Sequence, residues 1–266
     1  MKKFVALFLT LVCVLGLTGC NLLFDQELKE EISEIIDESD VQLVTKTYHH
    51  LQEVNIEYAN GDTCKLVYSY PEAANQFLKD YIGCTVFEDG QQVRSEEYVR
   101  DDKDNIISVV GNSTTTAFDL TYDENDRIIK KMISVDGIEQ GHEEYIFNAQ
   151  GQITEIIVYE NNNITQRIVT EYDEHGRRTR VTCYNSSEKI ISYDICEFDQ
   201  KKYKEKVMQY DASGELLGFL WNSYDLYDLV LVEEAYDANG NLLSTTKWNY
   251  QSGEITYDAA KGLPNT

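Results

Sequence analysis

The chain has 266 residues, of which 42% are hydrophobic and 26% charged, and its formal net charge is −24 at pH 7. It is long enough to bury a core, and so acidic a surface repels phosphate groups, so we expect no nucleic-acid partner. Basic proteins or divalent cations would be attracted, but without specificity.

The first nineteen residues are typical of an export signal. Lys2 and Lys3 precede an apolar run over residues 4–15, and small residues follow before Cys20. A positive start, a short apolar run and a small-residue cleavage site define a signal peptide, and this run is too short to span a membrane as a helix. We therefore predict that residues 1–19 are removed and that the mature chain works outside the cytoplasm.

The segment Leu17-Thr18-Gly19-Cys20 resembles the lipobox of bacterial lipoproteins. In that family the cysteine receives diacylglycerol and becomes the first residue after cleavage, so the resemblance implies that Cys20 is lipidated. Each buried methylene group contributes about 0.8 kcal/mol, so a multiply acylated cysteine would hold the domain on the bacterial cell membrane. The alternative is an ordinary signal peptide followed by a chance cysteine.

Two short helices are expected in the N-terminal part of the mature chain. Residues 20–40 are acidic and place four apolar side chains on one helical face, which predicts an amphipathic segment that is either a mobile tether or docked on the domain. These side chains are Leu28, Ile32, Ile35 and Ile36. Pro71 suits a helix start and Gly83 a helix end, which predicts a second helix over residues 71–82.

Four cysteines remain after the signal and Cys20 are set aside, and outside the cytoplasm they can form disulfides. Cys64 lies on a predicted strand and Cys84 just after the second predicted helix, and a bond between them would close a loop of about 20 residues. We predict this disulfide. Cys183 and Cys196 lie too far out of register in one hairpin to bond, so we expect buried thiols there. No C-x-x-C pair occurs, which argues against a metal site.

Aromatic residues recur at a regular step through the second half of the chain. They are Tyr98, Tyr122, Phe147, Tyr159, Tyr172, Tyr184, Phe198, Tyr210, Tyr224, Tyr236 and Tyr250. After two longer intervals the step is about 12 to 14 residues, which fits one strand and one turn, and turn-forming residues follow most of the aromatics.

This period predicts a mostly β fold, in which an antiparallel hairpin-repeat meander over residues 85–258 forms a long twisted or curled sheet. Residues 41–84 are expected to supply strands and a short helix that lead into the sheet, and residues 259–266 form a tail. Each aromatic ring is expected to cover its neighbour along the sheet, although rows of exposed rings could also bind sugars or peptides.

Three turns carry the motif Tyr-Asp-x-x-Gly, at residues 172–176, 210–214 and 236–240. The motif resembles the YD repeats of RHS-type bacterial surface and toxin proteins, which build β-hairpin arrays that wind into shells. The resemblance covers roughly residues 85–258 and implies hairpins rather than an activity. The Arg-Leu pair that often follows the family's glycine is only half kept, and the repeats are too few to close a large shell. In this motif Asp173 is expected to hydrogen-bond the turn, and Gly176 to adopt a conformation costly to other residues.

No arrangement of residues in the sequence specifies a reaction, a cofactor or a metal. His49 and His50 are adjacent and would face opposite sides of a strand, His142 lacks the second histidine of a zinc helix, and His175 falls in a turn. Residues 101–105 are rich in carboxylates but lack the spacing of a calcium loop, so we expect a solvated hairpin turn. We therefore predict that the protein is not an enzyme.

The sequence favours a lipid-anchored binding or scaffolding module outside the cytoplasm. Its partners would be the membrane, through Cys20, and an unidentified protein or glycan ligand. The first alternative is an accessory or neutralising partner of a secreted YD-type repeat toxin. The second is a cell-envelope glycan hydrolase, which would need two carboxylates in one cleft.

Overall fold

The computed structural model describes residues 33–36, 42–71, 80–199, 204–227 and 229–258. Within these residues the chain forms seventeen β-strands and no helix. No helix in this described part is long and apolar enough to cross a membrane.

The strands follow one another along the chain, mostly through short turns. They are β1 (Ser33–Ile36), β2 (Gln42–Tyr58), β3 (Thr63–Ser69), β4 (Gly83–Glu88), β5 (Gln91–Arg100), β6 (Ile106–Val110), β7 (Thr115–Tyr122), β8 (Ile128–Val135), β9 (Ile138–Phe147), β10 (Ile153–Glu160), β11 (Asn163–Tyr172), β12 (Arg178–Asn185), β13 (Ile190–Phe198), β14 (Lys204–Asp211), β15 (Leu216–Tyr224), β16 (Val230–Asp237) and β17 (Leu242–Asp258).

Strands β2 to β17 form a closed antiparallel barrel of sixteen strands in the described chain. Each strand pairs with the next, and β17 returns to pair with β2 from Ser244↔Tyr58 to Asp258↔Leu43. The short β1 adds to β2 through Ser33↔Thr45 and its neighbours. Closure removes the two sheet edges, whose unpaired N–H and C=O groups would otherwise face water.

The predicted fold class is wrong in its outline, although the antiparallel meander within it is present. The sheet is closed rather than an open twisted or curled one, because β17 is long enough to pair with β2 along most of its length. Residues 33–36 are a strand rather than part of the first predicted helix, since pairing with β2 overrides the helical spacing of Ile35 and Ile36. Residues 72–79 of the second predicted helix, like residues 20–32 and 37–41 of the first, lie outside the described residues.

The repeated turn has one hydrogen-bonding pattern, shown here for Asp173. Its Oδ1 atom accepts the backbone N–H groups of His175 and Arg177, each at 2.9 Å. The Asp173 carbonyl oxygen accepts the N–H of Gly176 at 3.0 Å, and Gly176 has a φ of 78°. Equivalent side-chain bonds are made by Asp101, Asp123, Asn148, Asn185, Asp211, Asp225 and Asp237. The expected role of the Tyr-Asp-x-x-Gly motif in the turn is confirmed, and residues 101–105 form the expected hairpin turn.

The aromatic step reflects the two rims of the barrel. Tyr122, Phe147, Tyr172, Phe198 and Tyr224 are the last residues of strands at one rim. At the other rim, the last but one residues of strands are Tyr159, Tyr184, Tyr210 and Tyr236. Rings stack between neighbouring strands, as in the Tyr193–Tyr210 pair, whose centroids lie 5.0 Å apart. Cations in the turns also cover rings of the next hairpin, such as the Arg127 guanidinium 4.6 Å from the centroid of Phe147.

Burial distinguishes the two faces of the sheet, since cross-strand partners point to the same side. Most buried apolar side chains share one face, which we call the inner face. They are Val54, Cys84, Val86, Tyr145, Ile168, Cys183, Cys196 and Ala235. The opposite, outer face carries Tyr193, Lys206 and Lys247.

Candidate functional site

A groove of about 550 Å³ lies where β17, β2, β3 and β4 run side by side. Its walls include Asn55, Glu57, Lys65, Val67, Phe87 and Lys247. The volume falls in the range of about 300–1,000 Å³ that is usual for small-molecule sites. We refer to it as the outer groove, because all six side chains belong to the outer face.

Backbone register explains why these residues meet. Lys247 is opposite Asn55, Asn55 is opposite Lys65, and Lys65 is opposite Phe87, so the four form one row across four strands. Neighbouring strands are about 4.8 Å apart, so the row extends over roughly 14 Å. The outer groove therefore depends on the closure between β17 and β2, which brings Lys247 beside the N-terminal strands.

One cation of the outer groove is already neutralised. Lys65 forms an ion pair with Glu53, whose carboxylate also accepts hydrogen bonds from the side-chain amides of Asn55 at 3.0 Å and Asn249 at 3.1 Å. The hydrogen bond from Lys65, helped by that from Asn55, holds the pKa of Glu53 below its usual value. Lys65 is thus a fixed part of the wall.

Two opposite charges of the outer groove remain available. Within the described part of the chain, neither Lys247 nor Glu57 forms a hydrogen bond or an ion pair through its side chain, and both are exposed. Glu57 lies opposite Thr245, two residues along β17 from Lys247, so the two charges are diagonal neighbours. The outer groove can therefore offer a cation and an anion to a ligand at the same time.

A second polar group lies on the inner face and consists of Asp194, Glu205 and Glu233 with Arg178; we call it the inner acidic cluster. Glu205 is only 1% exposed. Its Oε2 atom accepts hydrogen bonds from the Tyr224 hydroxyl at 2.6 Å and from the Asn222 amide at 3.0 Å. Its Oε1 atom lies 3.8 Å from an Arg178 guanidinium nitrogen, and the Arg178 charge also acts on Asp194.

Burial gives two members of the inner acidic cluster an unusually high proton affinity. Desolvation raises the pKa of Asp194 to about 6, although Arg178 opposes the rise. Desolvation and the nearby charge of Glu205 raise the pKa of Glu233 to about 7. Among the described residues, no three His, Cys, Asp or Glu side chains are grouped so as to hold a metal ion. Both carboxyl groups are therefore expected to hold their protons more tightly than exposed carboxyl groups do.

The residues predicted as sites from the sequence are not brought together. Cys20 lies outside the described residues. Cys64 is opposite Glu88, and Cys84 is opposite Tyr68, so the two cysteines are offset by four residues on neighbouring strands. Such an offset is about 14 Å, whereas a disulfide needs Cα atoms within about 7 Å. A Cys64–Cys84 bond is incompatible with this register, and neither cysteine is in a disulfide.

Cys183, Cys196, His49 and His50 are packed among other side chains of the sheet. Cys183 is opposite Ser192, four residues from Cys196, and both thiols are buried and free. His49 and His50 pack on different tyrosines, with ring centroids 4.6 Å and 4.2 Å from their partners. These contacts make the histidines part of the packing.

Sequence reasoning missed both the outer groove and the inner acidic cluster. The one available signal was alternation, because Glu205, Val207 and Gln209 share a face of β14, which places a carboxylate on the same side as an apolar residue. That signal could not show which face is inner, or that Glu233 lies across Asn222 from Glu205.

No protein family and no curated protein matches the sequence of this chain. Among solved structures, the chain is similar to a porin-like protein from Bacteroides uniformis, with 10% identity, a TM-score of 0.35, and coverage of 76% of this chain and 98% of the other. It is also similar to a provisionally assigned lipoprotein from Parabacteroides distasonis, with 11% identity, a TM-score of 0.23, and coverage of 77% and 95%.

A third match is to the Tc holotoxin pore of Photorhabdus luminescens, with 11% identity, a TM-score of 0.23, and coverage of 67% of this chain but only 14% of that one. Scores this low support no argument about function or family. The resemblance to YD repeats therefore stays a prediction, and the site must be interpreted from its own residues.

Proposed function

We propose that this chain is a lipid-anchored binding module that works outside the cytoplasm and takes a small ligand, or a short segment of a larger one, in the outer groove. The observation that carries the proposal is the outer groove itself, a concave site in which Val67 and Phe87 lie beside two available charges of opposite sign. The predicted export signal and the lipobox resemblance at Cys20 support a location outside the cytoplasm, at the membrane.

The proposal favours binding over catalysis because of where the titratable groups lie. The carboxylates with raised pKa values belong to the inner acidic cluster, around a Glu205 side chain that is 1% exposed. A glycan hydrolase would need such carboxylates in an open cleft that admits a sugar chain. The outer groove, where a ligand can enter, presents Lys247 and Glu57 on exposed strand positions.

The anchor is tested by Cys20→Ala in the full-length chain, expressed in a bacterium that processes lipoproteins. We expect the wild type in the membrane fraction and the variant as an unprocessed precursor or in the soluble fraction. Globomycin, which blocks lipoprotein signal processing, should cause the wild type to accumulate as precursor. Unchanged membrane association and processing of Cys20→Ala would refute the anchor.

Binding is tested by native mass spectrometry after incubation with a small-molecule extract of the bacterial envelope. Val67→Trp places a bulky ring in the outer groove, and Thr121→Trp places the same ring on an exposed outer position of β7 as a control. We expect bound mass on the wild type and on Thr121→Trp, and its loss in Val67→Trp. Equal retention by both variants would show that the outer groove is not the binding site.

A further inference from the structure

We propose that the outer groove binds zwitterionic dipeptides, with the peptide carboxylate at Lys247 and the peptide ammonium at Glu57. The inference rests on the proposed function, because it names a ligand class for that same site. It follows from the charges, the spacing and the walls of the groove, and it implies a protein that captures short peptides at the cell surface.

The other charged side chain of the outer groove is already paired. Lys65 is paired with Glu53, and the Asn55 amide donates to the same carboxylate. Within the described chain, Lys247 and Glu57 are left without such partners in the groove wall. A ligand with one negative and one positive group satisfies both, whereas a simple anion or cation leaves one of them unpaired.

The spacing of the two charges fits a dipeptide. Lys247 is opposite Asn55, and Glu57 lies two residues further along β2 on the same face. Such diagonal strand positions are about 7–8 Å apart. An extended chain spans about 3.5 Å per residue, so the termini of a dipeptide are roughly 7 Å apart. A single amino acid is shorter than this distance, and a tetrapeptide is much longer.

The apolar side chains of the outer groove and the negative electrostatic field of the protein favour the same ligand. Phe87 and Val67 line the groove beside the two charges and can cover apolar peptide side chains. The chain has a formal net charge of −24, which repels ligands with a net negative charge. A zwitterion has no net charge, so it can use Lys247 without long-range repulsion.

The experiment is calorimetric titration of the mature domain with leucyl-phenylalanine, its N-acetyl form and its C-terminal amide. We expect the free dipeptide to bind, and each blocked form to bind about two- to fivefold more weakly, as is typical of losing one exposed ion pair. Lys247→Gln should weaken the free dipeptide to the same extent but leave the amide unchanged. Glu57→Gln should weaken the free dipeptide but leave the N-acetyl form unchanged. This crossed pattern is specific to the proposed orientation.

Lys189→Gln, in the turn between β12 and β13, removes the same charge far from the groove and should change none of these affinities. Equal binding of blocked and free peptides, or no binding at millimolar concentration, would overturn the inference. If leucyl-phenylalanine fails but an envelope molecule still binds in a manner that Val67→Trp abolishes, only the ligand class is wrong. If that molecule is also absent, the proposed function fails with it.

Discussion

Replacing Glu233 by glutamine should make the protein more stable at alkaline pH. The pKa of Glu233 is raised from 4.5 to about 7, because the carboxyl group is desolvated and lies near the Glu205 charge. Its folded-state pKa is thus higher than its unfolded-state pKa, so its contribution to stability is fully present below about pH 4.5. That contribution is lost as the pH rises through about 7.

The magnitude follows from the difference between the two pKa values. A tenfold change in proton affinity corresponds to about 1.4 kcal/mol, so ionising Glu233 costs on the order of 3 kcal/mol of folding free energy at pH 8 and above. Glutamine cannot ionise, so the folding free energy of Glu233→Gln should not fall by this amount. With a urea m-value of about 3 kcal/mol/M, the unfolding midpoint of the variant should exceed that of the wild type by up to about 1 M at pH 8.5.

The assay is urea unfolding followed by the fluorescence of Trp221 and Trp248, at a series of pH values from 6 to 8.5. Asp194, with a pKa of about 6, adds the same slope to both proteins, so its effect cancels in the difference between the wild-type and variant midpoints. Glu171→Gln, at an exposed outer position, is the matched control. Parallel wild-type and Glu233→Gln curves over the whole range from pH 6 to 8.5 would refute the assignment of a high pKa to Glu233.

Three further predictions concern the core, the turns and the thiols. Tyr224→Phe removes a 2.6 Å hydrogen bond to the buried Glu205 carboxylate and should destabilise the protein by about 2 kcal/mol in urea unfolding; no change would mean that water replaces the hydroxyl. Gly176→Val should cost at least about 1–2 kcal/mol, because Gly176 has a φ of 78°, and Gly176→Asn should cost less; equal costs would contradict this reason. Thiol titration of the denatured, unreduced mature domain should find every cysteine of residues 42–258 as a reduced thiol, and a deficit of two would indicate a disulfide.

The hairpin array could be predicted from the sequence because its signals are local. The aromatic step measures one strand and one turn, and Asp173 with Gly176 forms its turn through bonds within five residues. Such interactions do not depend on where the rest of the chain lies. Local spacing gave the wrong prediction for residues 33–36. Their apolar side chains are spaced as in a helix, but the backbone pairs with β2 as a strand.

Neither candidate site could be predicted, because each depends on register between strands. The outer groove needs Lys247 beside Asn55, and these residues meet only through the pairing that closes the barrel. The inner acidic cluster needs Glu205, Asn222 and Glu233 in one row across three strands. A slip of one residue would turn any of these side chains to the other face, and side-chain types alone do not fix that register.

The sequence by itself predicts the export signal, and it determined the acidic charge, the strand period and the chemistry of the turns, because each is encoded in residue types or within a few neighbouring residues. Only the tertiary structure decided that the sheet closes, which face is inner, and that Cys64 and Cys84 stay apart. Closure is made by backbone hydrogen bonds between β2 and β17, which lie almost a whole chain apart. Backbone N–H and C=O groups are the same in nearly every residue, so a local pattern of side chains does not predict the pairing of β2 with β17.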